Sequence, residues 1–514
     1  MSHDSRPPLV VVANRLPVER AEDGGWVRAP GGLVSALAPI VRGSGGAWVG
    51  WDGSSDGTAA PFRGDNIDLI PIPLGQHEVE AFYEGFSNAT LWPLFHDVIA
   101  KPQFDRGTWA AYREVNQRFV DRVAEAAAPS ATVWVHDYQL TLVPAGLRAV
   151  RPDLTIGFFN HIPFPPYEIF SQLPWEQEIV AGMLGADLLG FQRQQDANNF
   201  LRACRRAHRL RTEGDRLVWQ DPSGFKRRVT ARSYPIGVEV SDLQASAHAP
   251  ETDRLLAQYR SQVGDRTVLL GVDRLDYTKG IPVRLRAVGE LLSEGRLDPE
   301  KVVYVQVATP SRERVEAYQE LRDDIELAVG RINGSHSTLS TQSVVYLRST
   351  VGLDELVALY RLADVMMVTP LRDGMNLVAK EYVVSRGDET GVLILSRFAG
   401  AADSLTEAII VNPYDLDGVK QAILTAVRMP RSEQQRRMHS LRHEVLTHDV
   451  RNWADSFLGD LRAQAQPSRP ESTRSDQRGW RIGRSWLRMR PLRRRVDTGN
   501  DPRPSVSASH SHHA

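Results

Sequence analysis

Short runs of Val, Ile, Leu and Ala recur along the chain at intervals that leave room for a helix between them. In the first half they fall at Leu9–Ala13, Ala47–Trp51, Thr132–His136, Thr155–Asn160 and Asp187–Phe191, with helix-like periodicity over Gly107–Ala127 and Gln194–Leu210. A second series runs through Thr267–Val272, Val302–Ala308, Val344–Leu347, Asp364–Val368, Val392–Leu395 and Ala408–Val411, with helices predicted near Pro282–Glu294, Arg314–Ile332 and Leu353–Leu362. Runs of strand length that are apolar on both faces, alternating with amphipathic stretches, are the pattern of βαβ units in parallel sheets. Two such series in succession predict an α/β protein of two doubly wound domains, joined near Pro235–Ala247.

Composition agrees with that picture. At 514 residues the chain is longer than one core organises, and 42% hydrophobic with 24% charged residues is ordinary for a soluble globular protein. No apolar run reaches a membrane span and MSHDSRPP lacks a secretory layout, so a cytoplasmic protein without stable membrane insertion is expected. A formal net charge of -1 argues against nucleic acid as the main ligand. The single cysteine, Cys204, excludes a disulfide framework and reads as a small buried hydrophobe in a helix. From about residue 466 the chain turns rich in Arg, Pro and Ser, a composition expected to stay disordered; Trp480, Trp486 and Leu487 among its arginines leave a basic amphipathic helix open as an alternative.

Doubly wound sheets bind ligands beyond the carboxyl ends of their strands, which singles out a few loops. ANRLP places Arg15 after the first strand, and Pro30, Gly31, Gly32 and Leu33 open the next helix; paired glycines there admit a phosphate or serve only as a turn. VDRLDYTKG puts Arg274 and Lys279 in one loop, two cations suited to a diphosphate, unless Arg274 pairs with Asp273 or Asp276. In TPLRDGMNLVAKEYV, Asp373 faces a sugar hydroxyl or merely caps the helix, and free amides follow around Met375–Val378. Asp137, His161, Tyr83 and Trp92 complete a polar and aromatic set suited to carbohydrate, though each singly is as well read as structural. No lysine stands at P-loop spacing. Asp415 and Asp417 read as helix-start acids and Asn88-Ala89-Thr90 as an unused sequon; His510, His512 and His513 lie too near the end for a designed metal site.

ANRLP, YEGFSNATLWPLFH, HDYQL, FFNHIPFP, DRLDYTKGI, TPLRDGMNLVAKEYV, SRFAGAA and VNPYD occur in an order that resembles the trehalose-6-phosphate synthases, from Leu9 to about Leu461. The resemblance implies a GT-B fold, two Rossmann-like domains facing across a cleft. It implies an acceptor domain over 1–240, a nucleotide-sugar domain over 241–447, a helix over 448–465 packing back on the first domain, and a disordered basic tail over 466–514. It implies a retaining hexosyltransferase moving glucose from a nucleotide-glucose, foremost UDP-glucose, to glucose 6-phosphate. Carried over residue by residue, Arg15, Tyr83, Asp137 and Arg312 hold the acceptor. Gly31, Gly32, Arg274, Lys279, Val351, Asp373, Met375, Asn376, Leu377, Val378, Ala379, Lys380 and Glu381 hold the donor, with Glu381 on the ribose. His161 meets the donor sugar, and Trp92 and Ile162 shape anomer selectivity. Arg274, Lys279, Asp373 and His161 form the catalytic set, with no metal or other cofactor, and relatives of this kind assemble as dimers or tetramers. Gln139 and Asn160 depart from the family's usual histidine and leucine, which leaves UDP against ADP or GDP open. A different phosphorylated acceptor, such as glycerol 3-phosphate, and a silent sugar-phosphate-binding protein are the rival readings.

Overall fold

In a computed structural model the described residues are 6–464 without 21–24, 30–31, 56–59, 221–225, 313 and 339–340. Gly31 and the expected tail, 466–514, therefore lie outside the described residues. Strand β1 (Leu9–Arg15) is followed by a hairpin of β2 (Val18–Arg20) and β3 (Trp26–Arg28). Next come β4 (Ala47–Trp51), β5 (Phe62–Gly64), β6 (Ile67–Pro71), β7 (Thr132–His136), β8 (Thr155–Asn160), β9 (Leu188–Phe191), β10 (Thr212–Glu213), β11 (Arg216–Gln220) and β12 (Lys226–Ser233). All but the hairpin β2–β3 join one ten-stranded sheet in the order β10-β11-β12-β9-β8-β7-β1-β4-β6-β5. It is parallel from β12 to β6, with antiparallel pairing at both edges.

The second sheet is parallel throughout. It takes β13 (Thr267–Arg274), β14 (Val302–Thr309), β15 (Val344–Leu347), β16 (Val365–Val368), β17 (Val392–Ser396) and β18 (Ile409–Val411) in the order β15-β14-β13-β16-β17-β18. In both sheets the chain starts in the middle, builds outward to one side, then returns and builds to the other. The reversal lies between β1 and β7 in the first sheet and between β13 and β16 in the second. Such a switch point opens a crevice at the strands' carboxyl ends, because the flanking loops diverge to opposite faces. Arg15 ends β1, Asp137 follows β7, Arg274 ends β13, and Asp373 lies in the loop after β16.

Helices cover the sheets much as the periodicity predicts. Arg106–Ala126 is capped by Asp105, which accepts from the Thr108 N–H at 2.8 Å. Gln194–Ala207 buries Cys204 completely, and that burial raises the thiol's pKa. Asp415 caps Leu416–Val427, accepting from the Gly418 N–H at 3.0 Å. The last described helix, Val450–Gln464, returns to the first sheet, where Phe457 stacks on Trp134 with centroids 4.8 Å apart. No helix among the described residues is long and apolar enough to cross a membrane.

Candidate active site

The loop after β13 is ordered by buried charge. Asp273 pairs with Arg284, which is 0% exposed and also donates to the Lys279 carbonyl at 3.2 Å and to Thr369 Oγ1 at 3.2 Å. One guanidinium thus ties together the loops after β13 and β16. Asp276 is fully buried and pairs with Arg312 at 3.0 Å; burial opposes its ionisation, but Arg312, Arg274 and Lys279 bring its pKa down to about 2. Lys279 pairs with Asp373 at 2.5 Å. Arg274 makes no ion pair among the described residues, and its guanidinium carbon stands 5.4 Å from the Trp92 ring. The pairing of Arg274 with Asp273 or Asp276 that the sequence allowed is thus absent, because other arginines take both carboxylates. Gly280, at φ +68°, then opens the helix Ile281–Ser293; a Cβ there would stand 2.3 Å from the Thr369 carbonyl oxygen.

The loop after β16 corrects a second alternative. Asn376, at φ +77°, caps the helix Leu377–Ser385 by accepting from the Ala379 N–H at 3.3 Å, so capping is not the role of Asp373. Asp373 accepts from Lys279 and, at 3.1 Å, from Asn376; burial works to raise its pKa and Lys279 overrides it, leaving the carboxyl below its ordinary value. The first amides of this helix, at Leu377 and Val378, have no partner within the helix and suit an anion. Met375 is buried. The Lys380 ammonium turns away from the loop to the Ile236 carbonyl at 2.7 Å, so this residue has only its main chain to offer on the donor side. Glu381 accepts from the Tyr360 hydroxyl at 2.9 Å, and burial raises its pKa. Tyr360 belongs to the helix Leu353–Leu362, and Val351 lies just before the cap of that helix. Gly32 begins the helix Gly32–Ser44.

Across the cleft, Arg15 lies 4.7 Å over the Trp51 ring and 3.9 Å from Glu19, with 40% of its side chain exposed. Tyr83 meets Trp51 edge-on at 5.7 Å. It sits in Val79–Leu91, a helix wound in the wide i→i+5 manner, a form concentrated at functional sites. Asp137 adopts φ 75° and ψ 169°, a conformation costly for any residue but glycine, and accepts from the His161 N–H at 3.1 Å. Burial pushes its carboxyl up to about 6. Arg312 reaches over from the second half: it stacks 3.9 Å from the Trp92 ring and donates to Tyr318 and, at 3.2 Å, to the Tyr138 hydroxyl. Arg312 Nε and Trp92 Nε1 are buried donors without a hydrogen-bond partner among the described residues. Trp92 and Ile162 are themselves buried.

His161 has both ring nitrogens engaged. Nε2 lies 3.0 Å from His136 Nδ1 and Nδ1 lies 3.3 Å from Gln192, while burial holds its pKa down to about 3. Its carbonyl closes on the opposite loop: a Cβ at Gly374 would stand 2.3 Å from that oxygen. Ion pairs brace the same approach. Arg372 reaches Asp97 at 3.2 Å and Asp196 at 3.4 Å, and Arg193 grips Asp403 at 2.6 and 2.7 Å. The structure thus gathers Arg274, Arg312, Trp92, Lys279, Asp373, Asp137 and His161 about one cleft, with Arg15 and Tyr83 on Trp51. Motif reading missed Asp276, Arg284, Arg372, Trp51 and Tyr138. Asp276, Tyr138 and Arg372 lie inside the motifs themselves, and strand-end position was the available signal. Among the described residues no three His, Cys, Asp or Glu side chains gather as a metal-holding group.

Two Rossmann-like sheets facing across a cleft, with cations and helix amides at their switch points, define a glycosyltransferase of GT-B architecture. The chain belongs to glycosyltransferase family 20, whose model matches residues 7–463. It is 50% identical over 483 residues to the trehalose-6-phosphate synthase of Mycolicibacterium gilvum, covering 91% of this chain and 96% of that one. An E. coli relative solved bound with UDP-2-fluoro glucose superposes with a TM-score of 0.81 at 35% identity, over 88% of this chain and 98% of its own. The Burkholderia xenovorans alpha,alpha-trehalose-phosphate synthase (UDP-forming), solved in complex with glucose-6-phosphate, gives 0.82 at 36%, over 88% and 99%. A trehalose-6-phosphate synthase studied for glycosyltransfer with retention gives 0.80 at 34%, over 89% and 99%.

Proposed function

We propose that this enzyme transfers glucose, with retention, from UDP-glucose to glucose 6-phosphate and so makes trehalose 6-phosphate. The observation that carries the reading is Arg274. It stands without an ion pair among the described residues at a switch point, over an indole it shares with Arg312, while every other charged side chain of its loop is paired. A free guanidinium beside Lys279 and the opening amides of Leu377–Ser385 suits a diphosphate. That relatives were solved bound with UDP-2-fluoro glucose and with glucose-6-phosphate supports this choice of donor and acceptor.

As the bond from the anomeric carbon to the diphosphate breaks, negative charge grows on the leaving oxygen, and Arg274, Lys279 and the helix amides are set to stabilise it. The acceptor's anomeric hydroxyl approaches from the same face and gives its proton to that leaving oxygen as the new bond forms. Asp373 is held by Lys279 and Asn376, and Asp137 by the His161 amide, so each is placed to accept a sugar hydroxyl rather than to attack carbon. Arg15, Tyr83 and Arg312 hold the acceptor by its phosphate, Glu381 takes the ribose near Val351, and Trp92 and Ile162 wall the site. Fixing two substrates in line contributes at best roughly 7 to 11 kcal/mol. Incubation with UDP-, ADP- and GDP-glucose against glucose 6-phosphate and glycerol 3-phosphate, read by mass and anomeric NMR, tests the reading. An α,α-linked disaccharide phosphate formed best from UDP-glucose and glucose 6-phosphate is the expected product; binding without turnover, or preference for glycerol 3-phosphate, refutes it.

A further inference from the structure

The chain crosses between the sheets after β12, and one residue of that crossing, Ile236, is bonded to both halves through its own main chain. Its N–H donates to Gln192 Oε1 at 3.0 Å, and its carbonyl accepts from Lys380 Nζ at 2.7 Å. Ile236, Gln192 and Lys380 are each 3% exposed, so water is in no position to replace these bonds. Burying an ammonium is costly, and among the described residues its hydrogen-bond partner is that one carbonyl, with Glu444 the opposing charge nearby.

The direction of each bond then propagates. Because the Gln192 oxygen accepts from a backbone N–H, its nitrogen must be what faces His161 Nδ1 at 3.3 Å, and that nitrogen only donates. His161 Nδ1 is therefore an acceptor, and the ring, kept neutral by burial, carries its hydrogen on Nε2. That hydrogen points to His136 Nδ1 at 3.0 Å, which puts the hydrogen of His136 on its own Nε2, a buried atom without a partner among the described residues. The result is a continuous strut: donor-side helix, Lys380, the Ile236 main chain, Gln192, His161, His136.

We propose that Lys380 and Gln192 are positioning residues of the transfer reaction, which through the main chain of Ile236 tie the helix Leu377–Ser385 to His161 and fix that ring as its Nε2–H tautomer at the cleft wall. The proposal rests on the reading of the cleft as the glucosyl-transfer site. Its physical content is that the helix whose amides face the donor cannot shift without moving the segment that also bears Asp137's amide partner and closes on Gly374.

The test pairs NMR of the full-length, ligand-free protein carrying 15N-labelled histidine with steady-state kinetics. Wild type should show His161 protonated on Nε2. In Gln192→Glu, nearly the same shape, the group facing Nδ1 becomes an acceptor and the His161 proton should move to Nδ1. Lys380→Met should shift the His161 nitrogens and lower kcat by about tenfold to a hundredfold, with both KM values within about threefold, as misplacement rather than lost binding demands. Lys380→Arg, which keeps a donor to the Ile236 carbonyl, should restore both signals and rate. The double variant Gln192→Met with Lys380→Met should lose little more than the worse single one, because one cut already severs the strut. An Nδ1–H tautomer in wild type, unmoved His161 signals in Lys380→Met, or losses that multiply would overturn the proposal. The tautomer readings need no turnover, so a wild-type protein that transfers no glucose refutes the function while leaving the strut to be judged by NMR.

Discussion

Arg274 owes its freedom to its neighbours. Asp273 and Asp276 flank it in sequence, yet Arg284 and Arg312 hold both, so the guanidinium at the switch point keeps its charge for a ligand. Arg274→Ala should lower kcat by about a hundredfold to a thousandfold, the loss typical of one transition-state donor, with the thermal midpoint unchanged. A normal rate at saturating donor would sink the assignment. Asp137 makes a different prediction. Burial holds its carboxyl near 6, so below that pH it is protonated and no longer offers a charged acceptor to a sugar hydroxyl. kcat/KM for glucose 6-phosphate should rise from pH 5 to 7, and part of that limb should vanish in Asp137→Asn; what persists belongs to the substrate's own phosphate, which titrates near about 6. An unchanged acid limb in the variant would exclude Asp137 as its source. Loop membership of these residues was legible, since VDRLDYTKG ends an apolar run. Their pairing was not, because Arg312 lies on another strand's loop and only the fold brings it to Asp276.

At the scale of elements, sequence and structure agree wherever a segment is buried on both faces. Every strand read from an apolar run exists, because parallel strands under two helical layers need apolar side chains at all positions. The strands that escaped are of mixed polarity and lie in the small hairpin or toward the two ends of the first sheet: β2, β3, β5, β6 and β10 to β12. The turn joining β5 to β6 did carry a signal, since Asp65 and Asn66 have φ of 52° and 60° and those residue types favour such hairpin turns. The wide winding of Val79–Leu91 left no trace in periodicity, and with it the setting of Tyr83 was illegible. Gly374 was legible as a loop residue but not as a contact. Its φ is not positive, so alanine is tolerated by its backbone, while the new Cβ would meet the His161 oxygen at 2.3 Å. Gly374→Ala should therefore hold the two halves apart, lowering kcat/KM by about tenfold or more while the thermal midpoint shifts little. Loss confined to the midpoint, with full activity, would show the contact to be ordinary packing.

For the whole molecule, buried histidines govern the response to acid. Burial holds His96 down to about 4 and His161 to about 3, and lowers His136 well below its ordinary value. The unfolded chain protonates these rings near pH 6.5 and the folded chain refuses, so their contribution to stability is complete above that pH and is lost as pH falls below it. Asp137 and Asp196, held up to about 6, act in the opposite sense, as do other buried carboxyls such as Glu381, but the two at about 6 take up protons only below the pH at which the unfolded chain's imidazoles do. The midpoint of thermal unfolding should fall between pH 7 and pH 5; a midpoint that rises on acidification would contradict this balance.

The Lys279–Asp373 pair has a bearing on which molecules the cleft admits. A bare phosphate drawn to the lysine meets the aspartate's charge as well, and offers it no hydrogen. Only a compound that carries an anion and a hydroxyl at the right separation satisfies both partners when it parts them. On the proposed reading this pair makes the crevice a coincidence detector, favouring sugar and diphosphate presented together over a bare phosphate.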